Sequence, residues 1–363
     1  MKQIAVFFGG SSNEREISVI TGVYAVNLLR GAGYSVLPVY LKEDDTMTLN
    51  LDLKKVEDVL NASSGQFVPV MPVRGALAYV RKPKKQFKID CALNCCHGGL
   101  GEGGGLSALL EFYRIPSASP KMCESAVFLD KSISKIALRG LNIEVVPSFT
   151  LREEDYSPAV FEQVEREFSY PVIVKPALLG SSIGICVAHD ESELKNALSL
   201  CFKLCSKALI EQYLPDKRDL NCAAYRKDGK IVLSPVEEVF SGGQLLSFQE
   251  KYEGGERKSA LPADLPEEIE RKIKDDLTKV YREFGVQGIV RADFLLSGEK
   301  LYFNELNTVP GSLAAYLFGD SLISAKALLS SLVEEALCSN SMEKELLSSG
   351  ILTRTRFGGK IRK

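Results

Sequence analysis

The chain has 363 residues, 45% of them apolar and 25% charged, which is typical of a globular protein with two or three domains. A net charge of −2 lacks the excess of positive charge that is typical of a nucleic-acid-binding protein. No apolar run reaches the ~18 residues of a membrane span. Nine cysteines without a CxxC pair and only two histidines argue against a zinc site and predict reduced thiols in a cytoplasmic protein.

Residues 1–119 alternate between strand and helix patterns, and we predict an N-terminal α/β domain there. Buried apolar runs are followed by glycine-rich loops, and each loop leads into an amphipathic run. This alternation predicts a doubly wound parallel sheet that binds ligands at the carboxyl ends of its strands. The predicted strands cover residues 4–8, 34–41 and 89–96, and the predicted helices cover residues 17–33 and 106–113.

Two further domains are predicted at residues 120–211 and 212–363. The middle domain has an apolar strand that ends at Lys175 and a Gly/Ser loop, and the last has a strand pair that turns at Asp228 and Gly229. A polar loop then separates this pair from the C-terminal helices and hairpin. The predicted helices cover residues 125–138, 191–204, 266–284 and about 320–337, and the polar loop covers residues 248–266.

The hairpin at residues 291–307 carries acidic side chains inside strand patterns. A loop of three or five residues would place Asp293 opposite Glu305, with Arg291 and Asn307 on the same face. Two facing carboxylates repel each other, so a cation is expected between them. Two carboxylates and an amide suit Mg²⁺ bound together with nucleotide phosphates, and they can hold two ions. The alternative is a hydrated surface hairpin.

Several lysines and one tyrosine are candidates for contacts with phosphate. Lys175 faces the Gly/Ser loop, whose backbone N–H groups can bind phosphate, although a lysine at a sheet edge explains it equally well. Lys131 lies in a helical pattern and is a weaker signal. Lys251 and Tyr252 lie in the polar loop, which could close over a reacting phosphate or simply be solvated.

Two residues on the N-terminal loops are candidates for substrate contacts. Glu14 begins a helix, where it could favour the helix dipole or anchor a substrate ammonium group. His97 lies on a glycine-rich loop that could equally be a plain connector, and His189 is interpreted as structural. The segment GGSSNE at residues 9–14 lacks the GxGxxG pattern of a dinucleotide site.

Taken in order, the motifs resemble those of the D-alanine–D-alanine ligases, which are ATP-grasp carboxylate–amine ligases. The motifs that carry the resemblance are GGSSNEREIS, HGGLGEGGG with LLEFYRIPSASP, LDKSISK, VKPALLGSSIG, EKY, RADF and NELNTVPG. The resemblance implies a three-domain ATP-grasp fold with ATP between the central and C-terminal domains. It also implies joining of two D-alanines through an acyl phosphate for peptidoglycan precursor synthesis, and a homodimer.

The resemblance also implies a role for each matching residue. Asp293, Glu305 and Asn307 are similar to ligands of Mg²⁺, with two ions expected and Mn²⁺ as an alternative. The implied ATP contacts are Lys131, Lys175 and Lys251 at the phosphates, Glu211 and Leu214 at the adenine, and Asp219 at the ribose. The implied catalytic and substrate contacts are Arg291 and the Gly311 N–H at the oxyanion, Glu14, Ser181 and Tyr252 as a hydrogen-bonded triad, and His97 at the first D-alanine.

Three departures from the family concern the second substrate more than ATP. Tyr316, in SLAAYLFGDS, occupies the position of a serine that helps to hold the second substrate's carboxylate, and its hydroxyl can still donate one hydrogen bond. Gly103 replaces an aspartate, and PDKRDL is one residue longer than usual. A ligase that joins D-alanine to another D-amino acid or a D-hydroxy acid is therefore an alternative, although Tyr252 points to an amine acceptor. A nucleotide-binding protein without activity and a dehydrogenase are more distant alternatives.

Overall fold

The computed structural model describes residues 1–61, 66–240 and 259–339, which form three separate β-sheets with flanking helices. Lys251 and Tyr252, and most of the polar loop that contains them, lie outside the described residues. The predicted division into domains at residues 119 and 211 stays a prediction.

The first sheet has seven strands in the order β6-β5-β4-β3-β2-β1-β7. The parallel arrangement is confirmed for β1, β2 and β7, whereas the other four strands pair antiparallel. The sequence did not predict these four, since they are short and the last of them, KPKKQFK, is mostly charged. The strands are β1 (Gln3–Gly9), β2 (Ser35–Leu41), β3 (Met47–Leu49), β4 (Val68–Val73), β5 (Ala76–Tyr79), β6 (Lys82–Lys88) and β7 (Cys91–Asn94).

Helices cover both faces of this sheet, as the alternation predicted. Val6 and Phe8 on β1 pack on the side of helix α1, whereas Phe7 packs with Leu106 and Leu110 of helix α4 on the other side. Because β1 is buried on both faces, its sequence is continuously apolar. The helices of this part are α1 (Arg15–Gly31), α2 (Glu57–Leu60), α3 (Gly99–Glu102) and α4 (Gly105–Phe112).

The second sheet is antiparallel, in the order β10-β9-β11-β8. It contains β8 (Ser148–Arg152), β9 (Val172–Pro176), β10 (Cys186–Ala188) and β11 (Lys207–Gln212), and the helices α7 (Ala159–Glu167) and α8 (Glu191–Phe202) pack against it. The helices α5 (Met122–Leu129) and α6 (Lys131–Gly140) precede this sheet in the chain but place Phe128 and Leu138 in the core of the third sheet.

The prediction of one helix over residues 125–138 is wrong, because the chain breaks at Asp130 between α5 and α6. The Asp130 backbone is extended, and its carboxylate accepts hydrogen bonds from the backbone N–H groups of Ser132 and Ile133 at 3.0 and 3.2 Å. An aspartate stabilises a helix start better than a helix interior. Lys131 therefore occupies the first turn of a new helix.

The third sheet is antiparallel, in the order β15-β14-β12-β16-β17, with β13 paired to β12. The turn at Asp228 and Gly229 is confirmed. The helix predicted at 266–284 is confirmed, and the last helix begins two residues later than predicted. The elements are β12 (Lys217–Lys227), β13 (Lys230–Leu233), β14 (Glu237–Val239), β15 (Ser259–Ala260), β16 (Val290–Ser297), β17 (Lys300–Asn307), α9 (Glu267–Glu283), a 3₁₀ segment (Gly311–Phe318) and α10 (Leu322–Ser339).

The β16–β17 hairpin pairs Asp293 with Glu305 and Arg291 with Asn307, as predicted. The predicted loop length is wrong, because Ser297 pairs with Lys300 across a turn of only two residues. A regular hairpin with that turn would place Asn304 opposite Asp293. A β-bulge shifts the register between Asp293 and Phe294, and the extra residue restores the Asp293–Glu305 pair.

The first and third sheets share one hydrophobic core. Val6 and Val26 of the first sheet and its helix belong to the same buried cluster as Leu329 and Leu332 of α10. Among the described residues, no single helix is long and apolar enough to cross a membrane. The bent pair formed by the 3₁₀ segment and α10 reaches that length only in combination, and its apolar side chains pack into this core.

Candidate active site

A cleft of about 740 Å³ lies where loops and strands of the three sheets meet. Every predicted site residue within the described ranges lines this cleft, although these residues come from segments scattered over most of the sequence. They are Glu14, His97, Lys131, Lys175, Ser181, Glu211, Leu214, Asp219, Arg291, Asp293, Glu305, Asn307, Gly311 and Tyr316. The predicted contacts of Lys251 and Tyr252 lie outside the described residues.

Glu211 is held between two lysines at the second sheet. Its carboxylate is 2.5 Å from the Lys175 ammonium and 2.6 Å from that of Lys135, and all three groups are buried. Burial by itself would raise the pKa of Glu211, but the lysines lower it to about 2. Burial also lowers the pKa of Lys135. This cluster holds the Lys175 ammonium at the wall of the cleft, and Lys135 is a member that the sequence did not predict.

The two facing carboxylates of the hairpin are each paired with a cation of the chain. The Arg291 guanidinium donates to both oxygens of Asp293, at 2.7 and 2.9 Å, and the Lys131 ammonium is 3.1 Å from Glu305. Burial opposes both cations, but the carboxylates raise the pKa of Arg291 and of Lys131. Lys131 also donates to the Leu179 carbonyl at 2.9 Å, which fixes its position in the cleft.

The hairpin also provides hard oxygen atoms that suit Mg²⁺. Asp293 and Glu305 are opposite each other, and the Asn307 amide donates to Asp293 at 3.2 Å, so the three side chains converge. Within residues 1–61, 66–240 and 259–339 there is no group of three His, Cys, Asp or Glu side chains that could hold a metal without further ligands. The residues therefore fit Mg²⁺ when nucleotide phosphate oxygens complete the coordination.

Glu14 and Ser181 meet in the cleft, where the Ser181 hydroxyl donates to the Glu14 carboxylate. Two glycines make room for this carboxylate, because a Cβ at Gly180 would lie 2.7 Å from it and a Cβ at Gly98 would lie 2.8 Å from it. Ser181 has a left-handed backbone with φ of 50°, which is costly for a residue other than glycine. The loop thus directs its serine at Glu14 of a remote segment.

His97 is buried and lies between the first and third sheets. Its Nε2 is 3.0 Å from the Thr21 hydroxyl, which accepts a hydrogen bond from the Ser312 backbone N–H at 3.2 Å. Burial, with a smaller effect of Arg291, lowers the pKa of His97 to about 4. The ring is therefore neutral near pH 7.

Glu102 is a site residue that the sequence did not single out. It accepts hydrogen bonds from the backbone N–H of Gly98 at 2.7 Å and of Val309 at 3.3 Å, and so joins the His97 loop to the segment that follows β17. Burial, followed by the nearby charge of Glu14, raises its pKa to about 7. Its position in HGGLGEGGG was visible, but its partner Val309 lies far away in the sequence.

The remaining predicted residues also line the cleft. Asp219 accepts hydrogen bonds from Lys217 through both carboxylate oxygens, at 2.5 and 2.6 Å, and Leu214 adds an apolar wall. Gly311 has open space where a Cβ would point. Tyr316 lines the cleft, but its hydroxyl donates to Glu237 at 2.9 Å. Its expected contact with a substrate carboxylate stays a prediction.

Comparison with known families covers most of the chain. The family model described as D-ala D-ala ligase N-terminus matches residues 3–120, and the one described as D-ala D-ala ligase C-terminus matches residues 137–337. The chain belongs to the D-alanine–D-alanine ligase family.

Individual members of the D-alanine–D-alanine ligase family resemble the chain over nearly their full length. The D-alanine–D-alanine ligase of a Nitratiruptor species is 35% identical over 88% of this chain and 90% of the relative. That of Campylobacter concisus is 32% identical over 92% and 93%. The crystal structure of the Helicobacter pylori enzyme superposes with a TM-score of 0.77 at 26% identity, covering 92% of this chain and 98% of the other. The ATP-grasp fold expected from the sequence is confirmed.

Proposed function

We propose that the chain is an ATP-dependent ligase that joins two D-alanines into D-alanyl-D-alanine for peptidoglycan precursor synthesis. Family membership supports this reaction, and so does the chemistry of the cleft. The observation that carries the proposal is that a carboxylate pair, Asp293 and Glu305, faces Lys131 and Lys175 in one cleft. Phosphoryl transfer requires anionic groups that hold a metal beside cations that hold phosphate.

ATP is the first substrate of the proposed reaction. Lys131 and Lys175 bind its phosphate oxygens, and Lys251 of the polar loop contacts the γ-phosphate. The apolar wall at Leu214, with Glu211, supports the adenine, and Asp219 lies near the ribose. Support for this arrangement comes from the common cleft and from the ion pairs that hold Lys175 and Lys131 in it.

Asp293, Glu305 and Asn307 would hold the divalent metal, as two Mg²⁺ ions or with Mn²⁺ in their place. Such ions, when bound, neutralise charge on the transferred phosphoryl group. Arg291 and Lys131, which pair with these carboxylates, are then available to substrate oxygens. Each cation would thereby exchange one anionic partner for another.

The first D-alanine is held by Glu14 and His97, with Ser181 and Tyr252 completing the hydrogen-bonded group. Its carboxylate oxygen attacks the γ-phosphorus of ATP, which releases ADP and forms an acyl phosphate. The amine of the second D-alanine attacks the acyl carbon and loses a proton, and the C–O bond to phosphate then breaks. Arg291 and the Gly311 N–H stabilise the oxyanion of the tetrahedral intermediate.

Phosphate release from ATP with D-alanine, followed by mass analysis of the product, tests the proposal directly. The expected result is D-alanine-dependent phosphate release and D-alanyl-D-alanine in equal amounts. If phosphate release requires a second, different amino or hydroxy acid and only a mixed product forms, that acid and not D-alanine is the acceptor. Phosphate release without any ligated product would contradict the proposal.

We further propose that the chain acts as a homodimer in the cytoplasm, as its family implies. Light scattering coupled to size-exclusion chromatography tests the assembly. A mass of about 80 kDa, twice the 39.8 kDa of the chain, is expected, and a mass of one chain would contradict it.

A further inference from the structure

A row of four polar residues crosses the third sheet beside the proposed metal site. Glu237 on β14 pairs with Asn221 on β12, which pairs with Asp293 on β16, which pairs with Glu305 on β17. Side chains that are directly opposite on neighbouring strands point to the same face of a sheet. Glu237 therefore lies on the cleft side, as a third carboxylate in line with the other two.

Glu237 lies behind the surface of the cleft. It is only 2% exposed and is not among the residues that line the cleft, whereas Asn221 and Tyr316 are. The same Glu237 oxygen accepts hydrogen bonds from the Asn221 amide at 3.0 Å and from the Tyr316 hydroxyl at 2.9 Å. Glu237 is thus connected to the cleft through these two side chains.

The direction of the Tyr316 hydrogen bond determines what Tyr316 offers to a ligand. A tyrosine hydroxyl has one proton, and here that proton is directed at a carboxylate. The oxygen then has no other proton to donate and can only accept further hydrogen bonds, and donation to a carboxylate makes it a better acceptor. Such a group attracts an ammonium and repels a carboxylate, which is the reverse of the role expected for Tyr316 from the sequence.

Tyr316 is close to the groups of the reaction. It belongs to the 3₁₀ segment that begins at Gly311, and it lines the same cleft as Arg291 and Asp293. Ser312, Leu313 and Ala314, which precede it, have left-handed backbones with φ of 48°, 54° and 47°. The segment therefore holds the tyrosine in a specific orientation at a cost in backbone strain.

We propose that Glu237 is a positioning residue for the second-substrate site, and that it makes Tyr316 a hydrogen-bond acceptor for the ammonium group of the incoming amino acid. This inference rests on the proposed function, since it concerns the acceptor of that ligation. The pair favours acceptors with an amine over hydroxy acids, because a charged donor forms a stronger hydrogen bond than a neutral hydroxyl.

The test compares D-alanine with D-lactate, which keeps the carboxylate but lacks the ammonium. Wild type, Glu237→Gln, Tyr316→Phe and the double variant are assayed with each compound as acceptor, and D-lactate is also measured as an inhibitor at the second site. The ratio of kcat/KM for D-alanine to that for D-lactate should fall about tenfold in both single variants. In the double variant this ratio should fall no further than in the single variants, because the two changes remove the same interaction.

Substrates at the other subsites and a neighbouring carboxylate provide controls. The KM values for ATP and for the first D-alanine should stay within about twofold, which a general structural defect would not allow. Glu238→Gln is the matched control, since Glu238 is the next residue on β14 but pairs with Arg218, at 2.6 Å, away from Tyr316. This control variant should leave the ratio of kcat/KM for D-alanine to that for D-lactate unchanged.

The possible outcomes separate this inference from the proposed function. If Tyr316→Phe lowers kcat/KM for D-alanine and for D-lactate by the same factor, Tyr316 recognises the carboxylate and the inference is overturned. If Tyr316→Phe alone changes the ratio, Glu237 has no positioning role. If Glu237→Gln fails to fold, the ratio of kcat/KM for D-alanine to that for D-lactate in Tyr316→Phe decides: an unchanged ratio overturns the inference. A wild type that forms no D-alanyl-D-alanine would overturn the proposed function and this inference together.

Discussion

At the scale of single residues, the cleft is a set of charges that neutralise one another. Asp293 pairs with Arg291, Glu305 pairs with Lys131, and Glu211 is shared by Lys175 and Lys135. Buried charges are tolerated only in such pairs. The side chains that hold the cleft together are therefore the ones we propose to exchange partners with phosphate and metal.

Replacing Glu305 tests the metal assignment. Glu305→Ala should reduce phosphate release to background, because one of two carboxylates is lost and Lys131 loses its partner. The fold should survive, since Glu305 is partly exposed at the cleft. Glu299→Ala removes an exposed carboxylate from the turn of the same hairpin and should retain activity. Near-normal turnover by Glu305→Ala would remove this residue from the metal site.

The buried His97 predicts acid sensitivity. Its pKa is about 4 in the folded chain against an ordinary value of 6.5, so the unfolded chain binds more protons between these values. The free energy of unfolding should then decrease as the pH falls from 6.5 to 4. The decrease should be on the order of a few kcal/mol, which is the free energy that corresponds to the pKa shift of His97. Urea titrations of wild type and His97→Gln measure this difference.

The pH titration needs a control for the loss of any histidine. His189, which is exposed, provides one as His189→Gln. The variant His97→Gln should show a shallower acid dependence than both wild type and His189→Gln. Parallel curves for all three proteins would show that His97 does not cause the acid sensitivity.

At the scale of helices and strands, a helix break and a β-bulge determine where site residues lie. The break at Asp130 puts Lys131 at a helix start, and the bulge at Asn304 puts Asn304 and Glu305 side by side on the cleft. Asn304 then accepts a hydrogen bond from Lys175 at 3.4 Å. A continuous helix and a regular hairpin would orient these side chains differently.

The helix break can be tested with two changes at Asp130. Asp130→Ala removes the cap of α6 and the ion pair with Lys207, and should lower the free energy of unfolding by about 1–2 kcal/mol or more. It should also raise the KM for ATP, because Lys131 loses its fixed position. Asp130→Asn keeps a capping oxygen and should retain more of the stability. Equal losses in both variants would assign the effect to the ion pair with Lys207.

At the scale of the whole molecule, the first and third sheets share a core whereas the second sheet has its own. The cluster around β1 and α1 includes α10 and the 3₁₀ segment, while the core formed by β9, β11 and α8 contains no described residue of either other sheet. The Glu102 and Thr21 hydrogen bonds also join the first sheet to the third. The N-terminal and C-terminal parts should therefore unfold together.

A substitution in α10 tests this coupling. Leu332 is 2% exposed in the shared cluster, and Leu332→Ala should cost about 2–5 kcal/mol. Hydrogen exchange should then accelerate in β1 and β7 as well as in α10. Leu322→Ala, at the 65% exposed start of the same helix, should change neither. Faster exchange confined to α10 would show that the two parts unfold independently.

Much of the fold and of the site was predictable because the signals are local. The apolar run of β1, the turn at Asp228 and Gly229, and the alternation in the hairpin depend on neighbours within a few residues. The candidate residues were recognisable for the same reason, since each motif is a short segment whose chemistry is visible without its partners.

The site residues that the sequence did not reveal depend on contacts between distant segments. Glu237 is a site residue only because β14 lies beside β12 and because Tyr316 approaches from a segment about 80 residues later. Glu102 acquires its raised pKa from burial and from Glu14, and Lys135 is recognisable only beside Glu211. Burial and partner choice are properties of the packed chain, so no local pattern records them.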